Sequence, residues 1–467
     1  MQSQNDGRRI SYEELKKHST YTDAWISING VVYDITGFIQ KHPFGDTFMG
    51  NLGTECGGLF SSAHVNTNVE CLLQNDSFRE KNNIVVVGPL DVLGAHLHKR
   101  NKAPYLDRVV YRDTSTDKFW LDLKAEVKAY LKRNKESIHY GPLEGTLYLA
   151  YYLGIYALLS YLTWIRCSYL ASALLGFHML CAVANVSHMD THYGFTRQRW
   201  LNFIAGHIFD LGGMSRLEWK IAHQTHHNQP HSSVDHQTNS YDDDIHVRIH
   251  RYINRKPHHR YQHIYFWLLI SMYLLFRVIA TSFWMVKNRE FIRHKREVVA
   301  HVLARVMLFA PVFYCAHLHG WGRALILLLI YAASYSYSAF ALLYNDYKDT
   351  HKVLDNHNDA STYHNKLSWA EVQVRTSNDW YPTNLLMRFV EFHYGYFNYH
   401  IEHHLFPTLK PSLLKKISPI VREVCRRHGV PYIRTTFLDV QVSLQKHLVE
   451  MGSFSSQAHV DERKDES

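Results

Sequence analysis

At 467 residues the chain is too long for one typical domain, and its polar N-terminus predicts no cleavable secretory signal. Hydrophobic residues make up 46% and aromatics 14%, yet mean hydropathy is below zero, which excludes a wholly embedded protein and fits a few spans in polar surroundings. A net charge of +9 suits nucleic acid or anionic lipid headgroups, and the apolar stretches decide for lipid and against nucleic acid. Six scattered cysteines without metal-like spacing read as free thiols in a reducing compartment.

In chain order, Ile10 to Leu15 predict a strand edge and a helix start, with Ser11 as N-cap and Glu14 three residues on. Residues 24–28 alternate like a strand, Asn29-Gly30 is a strong hairpin signal, and 31–35 form the partner. His42-Pro43-Phe44-Gly45-Asp46 follows, and a glycine-rich segment then runs from Gly53 to His64. Taken together, residues 8–90 resemble cytochrome b5. The resemblance implies an α+β haem domain with His42 and His64 as the axial ligands of haem b. Two imidazoles on one iron leave no open position, so such a haem carries electrons and does not bind oxygen. Phe44 stands where that family usually has glycine, and the segment from His42 to Gly53 is shorter than usual.

Residues 91–140 read as a linker followed by an amphipathic helix over 117–134, with Phe119, Trp120, Leu123, Val127, Tyr130 and Leu131 on one face. That face suits an anionic membrane surface, or equally the chain's own domain. Residues 144–164 and 168–187 are apolar enough to span, while 200–214 are apolar but short and read as interfacial. The stretches 264–285, 299–318 and 323–344 are also apolar. Arg277 interrupts the first of these, and a basic cluster from Lys287 to Arg296 follows it. Both argue that 264–285 dips into the interface and returns. Four transmembrane helices remain, with both termini cytosolic. A basic amphipathic helix is expected over 412–426, ending near Gly429, and a disordered tail over 451–467.

Three histidine groups stand out: His188 with His192; His223 with His226 and His227; and His400 with His403 and His404. On helices, spacings of three and four place the members of each group on one face. One zinc ion uses about four ligands. Eight imidazoles between apolar segments suit two metal ions, and imidazole sites with open positions suit iron that handles oxygen.

These boxes are similar to those of the membrane fatty-acid desaturases, nearest to the front-end branch that carries an N-terminal cytochrome b5 domain. The resemblance rests on His188…His192, on Trp219-Lys220 leading to His223-Gln224-Thr225-His226-His227, on Asp243-Asp244-Ile245, on the segment from His259 to Tyr265, and on the segment from Asn398 to Pro407. It departs at Asp190, placed two residues after His188, and at His400, where front-end relatives usually have glutamine. A histidine usual near Tyr344-Asn345 is absent, which leaves Asn345 and His351 as candidates for a further ligand. Asp190, Asp244 and Glu402 are expected to hold ligand imidazoles; His207, His231, His236, His258 and His393 are not expected to be ligands.

The fold class that follows is an α+β cytochrome b5-like haem domain (8–90), then an all-α membrane domain (141–450) with four transmembrane helices and a cytosolic histidine-rich di-iron cap. The resemblance implies O2-dependent desaturation of a lipid- or CoA-linked acyl chain in the endoplasmic reticulum membrane, at two non-haem iron ions held by the eight histidines. No glycine-rich dinucleotide fingerprint occurs, so electrons come from an NAD(P)H-dependent cytochrome b5 reductase as a partner. Two alternatives stay open at this point: hydroxylation of an acyl or sphingoid chain on the same scaffold, and a membrane-anchored haem protein that only passes electrons. Zinc hydrolysis is disfavoured, since no clear catalytic carboxylate accompanies a compact three-ligand set.

Overall fold

The computed structural model describes residues 9–42, 49–67, 69–91, 111–192, 194–230, 235, 246–249, 255–292, 294–343 and 368–453. Expectations that fall outside these residues concern the turn after His42, His231 and His236, the segment around Asp243 and Asp244, Asn345 with His351, and the tail from 454.

The N-terminal part builds on a four-stranded antiparallel sheet, β1 (Ser19–Thr20), β2 (Asp23–Ile28), β3 (Val31–Asp34) and β4 (Val85–Pro89), in sequential order. Helix α1 (Tyr12–Lys17) is capped as expected, Ser11 accepting from the Glu14 amide at 3.2 Å. Asn29 and Gly30 both take positive φ, +51° and +79°, the geometry of a tight turn that suits strand twist. The buried carboxylate of Glu55 secures this turn by accepting from the amides of Asn29 (3.0 Å) and Gly30 (3.1 Å). Helices α2 (Gly57–Ala63), α3 (Val69–Gln74) and α4 (Asp76–Asn82) complete the unit.

Helix α5 (Lys118–Arg133) is the expected amphipathic helix, but its apolar stripe does not face lipid. Phe119, Trp120, Leu123, Val127 and Leu131 are buried in a core shared with Trp369, Phe406 and the later basic helix. An apolar stripe has the same spacing whether lipid or protein covers it, and here the chain covers its own.

Among the described residues, five helices are long and apolar enough to cross a membrane: α6 (Pro142–Ile165), α7 (Tyr169–Thr191), α11 (Gln262–Lys287, with a 3-10 lead-in from Pro257), α12 (Lys295–His319) and α13 (Trp321–Leu343). Between α7 and α11 lie the short α8 (Arg199–Gly206) and α9 (Ile208–Leu211), then α10 (Arg216–Asn228). The expected dip and return over 264–285 is corrected: α11 is a single unbroken helix. Its contacts nevertheless lie on one side. Phe266 and Tyr273 both pack on Phe340, near the C-terminal end of α13, each with ring centroids 5.5 Å apart. Further along, Arg277 pairs with Glu218 of α10 at 2.9 Å, and Thr281 accepts from Arg305 in the first half of α12 at 2.8 Å. Arg277 therefore faces a carboxylate and not hydrocarbon. Removing one partner of such a largely buried pair costs about 3–5 kcal/mol.

From residue 368 onward come α14 (Trp369–Arg375), β5 (Asp379–Tyr381), α15 (Leu385–His393), α16 (His400–Leu405), α17 (Pro411–His428), β6 (Arg434–Thr436) and α18 (Phe437–Ser453). Strands β5 and β6 pair in parallel. Gly429, at φ +67°, closes α17 as a left-handed C-cap, close to the expected end. Helix α18 continues to Ser453, so the stretch expected to be a disordered tail begins as helix.

Candidate metal centre

The three histidine groups arrive on three separate helix ends. His188 closes the second apolar helix, after a five-residue π turn, Val183–Ser187, that widens α7. Such bulges often mark functional positions, and hydropathy gives no sign of them. His188 and His192 then sit four residues apart on one face. In α10, Ser215 caps the N-terminus and His223, His226 and His227 occupy the last two turns. The short α16 carries His400, His403 and His404.

All eight imidazoles are buried and meet in one layer. Nε2 of His192 lies 3.2 Å from that of His188, and His188 also touches His223. Nε2 of His227 lies 3.0 Å from His223 and 3.1 Å from His403. The ligand atoms of His188, His192, His223, His227 and His403 all fall within 4.8 Å of one another. The other three gather beside them. Nε2 of His400 and His404 are 3.1 Å apart, and the His226 and His404 rings have centroids 4.9 Å apart. His227 joins the two subsets, its ring 4.5 Å from that of His404.

Burial first, and then the neighbouring imidazoles, push His227 and His403 well below the usual histidine range. Neutral imidazole is the form that binds a metal. The donor set fits two metal ions: five convergent nitrogens and three more, all on buried side chains. It is too rich for one four-coordinate ion.

The partners that orient these rings differ from those expected. Asp190 holds no imidazole; it accepts from Arg216 Nε at 2.8 Å, with Lys220 Nζ at 3.9 Å, because α10 turns both cations toward it. Glu402 faces Asp379 and accepts from the Tyr432 hydroxyl at 2.8 Å. Burial, and then the Asp379 charge, push Glu402 well above the usual carboxylate range. The acceptors that do hold rings are Asp235, 2.8 Å from His226 Nδ1, and Gln373, whose Oε1 lies 2.9 Å from His404 Nδ1. Gln373 also donates to the His227 carbonyl at 3.2 Å. No local motif marks either residue. Among the histidines not expected to be ligands, His207 bonds the Phe203 carbonyl at 2.8 Å and His393 stacks on His178, with 3.0 Å between their nitrogens. His258 is exposed, and His231 and His236 lie outside the described residues.

In the N-terminal unit, His42 and His64 face each other with ring centroids 6.2 Å apart and planes at 82°. Two metal–nitrogen bonds of about 2 Å each, plus the two ring radii, span that gap, so the pair fits an iron held between them. Nδ1 of His64 donates to the Phe60 carbonyl at 2.8 Å, which turns Nε2 toward His42.

Comparison with known proteins assigns a family to each of the two parts. Residues 137–436 match the profile of the fatty acid desaturases, and residues 11–91 match that of the cytochrome b5-like haem/steroid binding domain. The chain is 27% identical over 469 residues to the acyl-lipid (8-3)-desaturase of Physcomitrium patens, covering 95% of this chain and 92% of that protein. It is 24% identical over 482 residues to Delta(8)-fatty-acid desaturase 1 of Arabidopsis thaliana, covering 95% and 93%. Against the sn-1 linoleoyl-lipid 6-desaturase of Arthrospira platensis it is 26% identical over 339 residues, covering 68% and 88%. No solved structure matches the chain significantly.

Proposed function

The chain belongs to the fatty acid desaturase family and carries a cytochrome b5-like domain ahead of the desaturase part, and from this premise we propose that it inserts a double bond into a lipid- or CoA-linked acyl chain at a histidine-held pair of iron ions. The single observation that carries the reading is the convergence of eight buried imidazoles from three helix ends. His188, His192, His223, His227 and His403 would hold one ion, and His226, His400 and His404 would anchor the other. Iron bound there supplies, with O2, an oxidant strong enough to take hydrogen from an unactivated methylene. The balanced reaction is acyl chain + O2 + two electrons + two protons → alkenyl chain + two waters.

The chain's own residues do the rest. Asp235 and Gln373 fix the orientation of His226 and His404, and the buried layer keeps bulk water from the oxidant. His42 and His64 would hold haem b, which would supply one-electron transfer fed by a cytochrome b5 reductase. The names of the relatives support a front-end position for the new double bond.

Four helices, α6, α7, α12 and α13, cross the membrane, while α11 lies along the side that carries the histidines. The one-sided contacts of Phe266, Tyr273, Arg277 and Thr281 support this. The histidine layer is then cytosolic, with both termini, in the endoplasmic reticulum. Glycosylation of tags placed at 290–295 would contradict that topology.

The function is tested by expressing wild type and His403→Ala in yeast fed a panel of acyl chains, with fatty acids and sphingoid bases derivatised to locate double bonds. A new alkene with wild type only is expected. A hydroxylated product in its place would contradict desaturation.

A further inference from the structure

The helix that leads to His64 is not turned to solvent. Gly58 of α2 abuts the indole of Trp369, and a Cβ there would overlap that ring. Ser61 Oγ accepts from Trp120 Nε1 and from Lys124 Nζ, both at 3.0 Å. Val65, next to His64, is 2% exposed because it is buried in the same core as Trp120, Trp369 and Phe406. A second grip lies on α10. Asn228 Nδ2 donates to the Glu55 carbonyl at 2.9 Å, and a Cβ at Gly50 would come within 2.5 Å of the Ile221 carbonyl.

The tryptophan pair continues inward. Trp120 and Trp369 meet edge to face at 5.5 Å, and Trp120 stacks on Phe406 at 5.5 Å. Phe406 lies two residues beyond His404. Trp369 opens α14, and one turn later Gln373 reaches His404 Nδ1 at 2.9 Å. Continuous packing thus runs from the haem-ligand helix to the third histidine group, on the side of His400 and His404.

We propose that this seat is where electrons reach the histidine cluster, with Gly58, Trp120 and Trp369 as positioning residues that hold the haem domain docked on its own chain. The inference rests on reading the two centres as haem and non-haem iron. Each delivery moves one electron and makes or breaks no bond: ferrous haem becomes ferric, a ferric ion in the cluster becomes ferrous, and the reductase restores the haem. Electron tunnelling weakens steeply with the gap, and close packing keeps that gap short and constant. A docked donor also removes the search that a separate cytochrome must make.

The test uses the full chain loaded with haem and iron, without O2. The haem is reduced by a light flash, and its reoxidation is followed in the visible band. Wild type should reoxidise in a first-order process independent of protein concentration. Trp369→Ala and Gly58→Leu should each slow that process by about tenfold or more through lost positioning, with the haem spectrum and non-haem iron content unchanged. Trp369→Phe, which keeps an aromatic ring in the seat, should restore most of the rate. Unchanged reoxidation in Gly58→Leu would overturn the proposal. That variant alters only the haem-domain side, so it decides the matter even where Trp369→Ala loses iron or fails to fold. Wild type that holds both groups yet never reoxidises its haem would instead overturn the underlying reading of the two centres.

Discussion

The two histidine centres of this chain use the same side chain for opposite ends. In the N-terminal unit, two imidazoles face each other with ring centroids 6.2 Å apart, and a haem iron held between them would keep no position open for oxygen. In the membrane part, eight imidazoles converge from three helix ends, and five of them crowd within 4.8 Å. The first arrangement suits an iron that only changes charge. The second suits a pair of ions whose open positions admit oxygen. Ligand number and enclosure, not ligand type, separate an electron carrier from an oxidant.

The sharpest way to break this comparison is to remove one ligand from each side. His403→Ala, or His226→Ala, should abolish the alkene and lower non-haem iron while leaving the reduced haem spectrum unchanged. Product analysis and optical spectra on the same preparation check it. His64→Ala should remove the haem absorbance, with turnover falling to whatever an added separate cytochrome b5 restores. A His64→Ala chain that kept its haem band would place the axial ligand elsewhere.

Smaller changes sharpen the contrast. Gln373→Leu removes the acceptor for His404 Nδ1 without touching a ligand, and should weaken iron binding by about 10–100-fold. Iron retained after a chelator challenge reads this out. The smallest effect is expected at a histidine pair whose nitrogens all have protein partners. His178 and His393 bond each other at 3.0 Å, and they further reach the Tyr152 carbonyl (2.9 Å) and the Tyr151 hydroxyl (3.2 Å). His178→Leu should cost about 1–3 kcal/mol of stability by leaving buried groups unpaired. Iron content and double-bond position should not move. Thermal unfolding in detergent with metal analysis would show it, and iron loss there would make this pair part of the centre.

What was legible in the sequence was local. The spacings 188/192, 223/226/227 and 400/403/404 placed each group on one helix face, and Asn29-Gly30 marked its hairpin. What was not legible depended on distant partners. Asp235 and Gln373 meet His226 and His404 from segments with no motif of their own, while Asp190 and Glu402, beside the ligands in sequence, are drawn to Arg216 and to Asp379 with Tyr432. The apolar face of α5 has the same spacing for lipid as for the core that covers it. Hydropathy over 264–285 marked an apolar stretch, and Arg277 with the following basic cluster read as a dip and return; the chain forms one unbroken helix there, and its partners Phe340, Glu218 and Arg305 show on which side it packs.

The most direct measurement is total iron against haem in the purified full-length chain, with His403→Ala beside it. The account predicts two non-haem iron atoms above the single haem in wild type, and their loss in the variant with the haem band intact. Iron equal to haem in a preparation that still forms the alkene would contradict it.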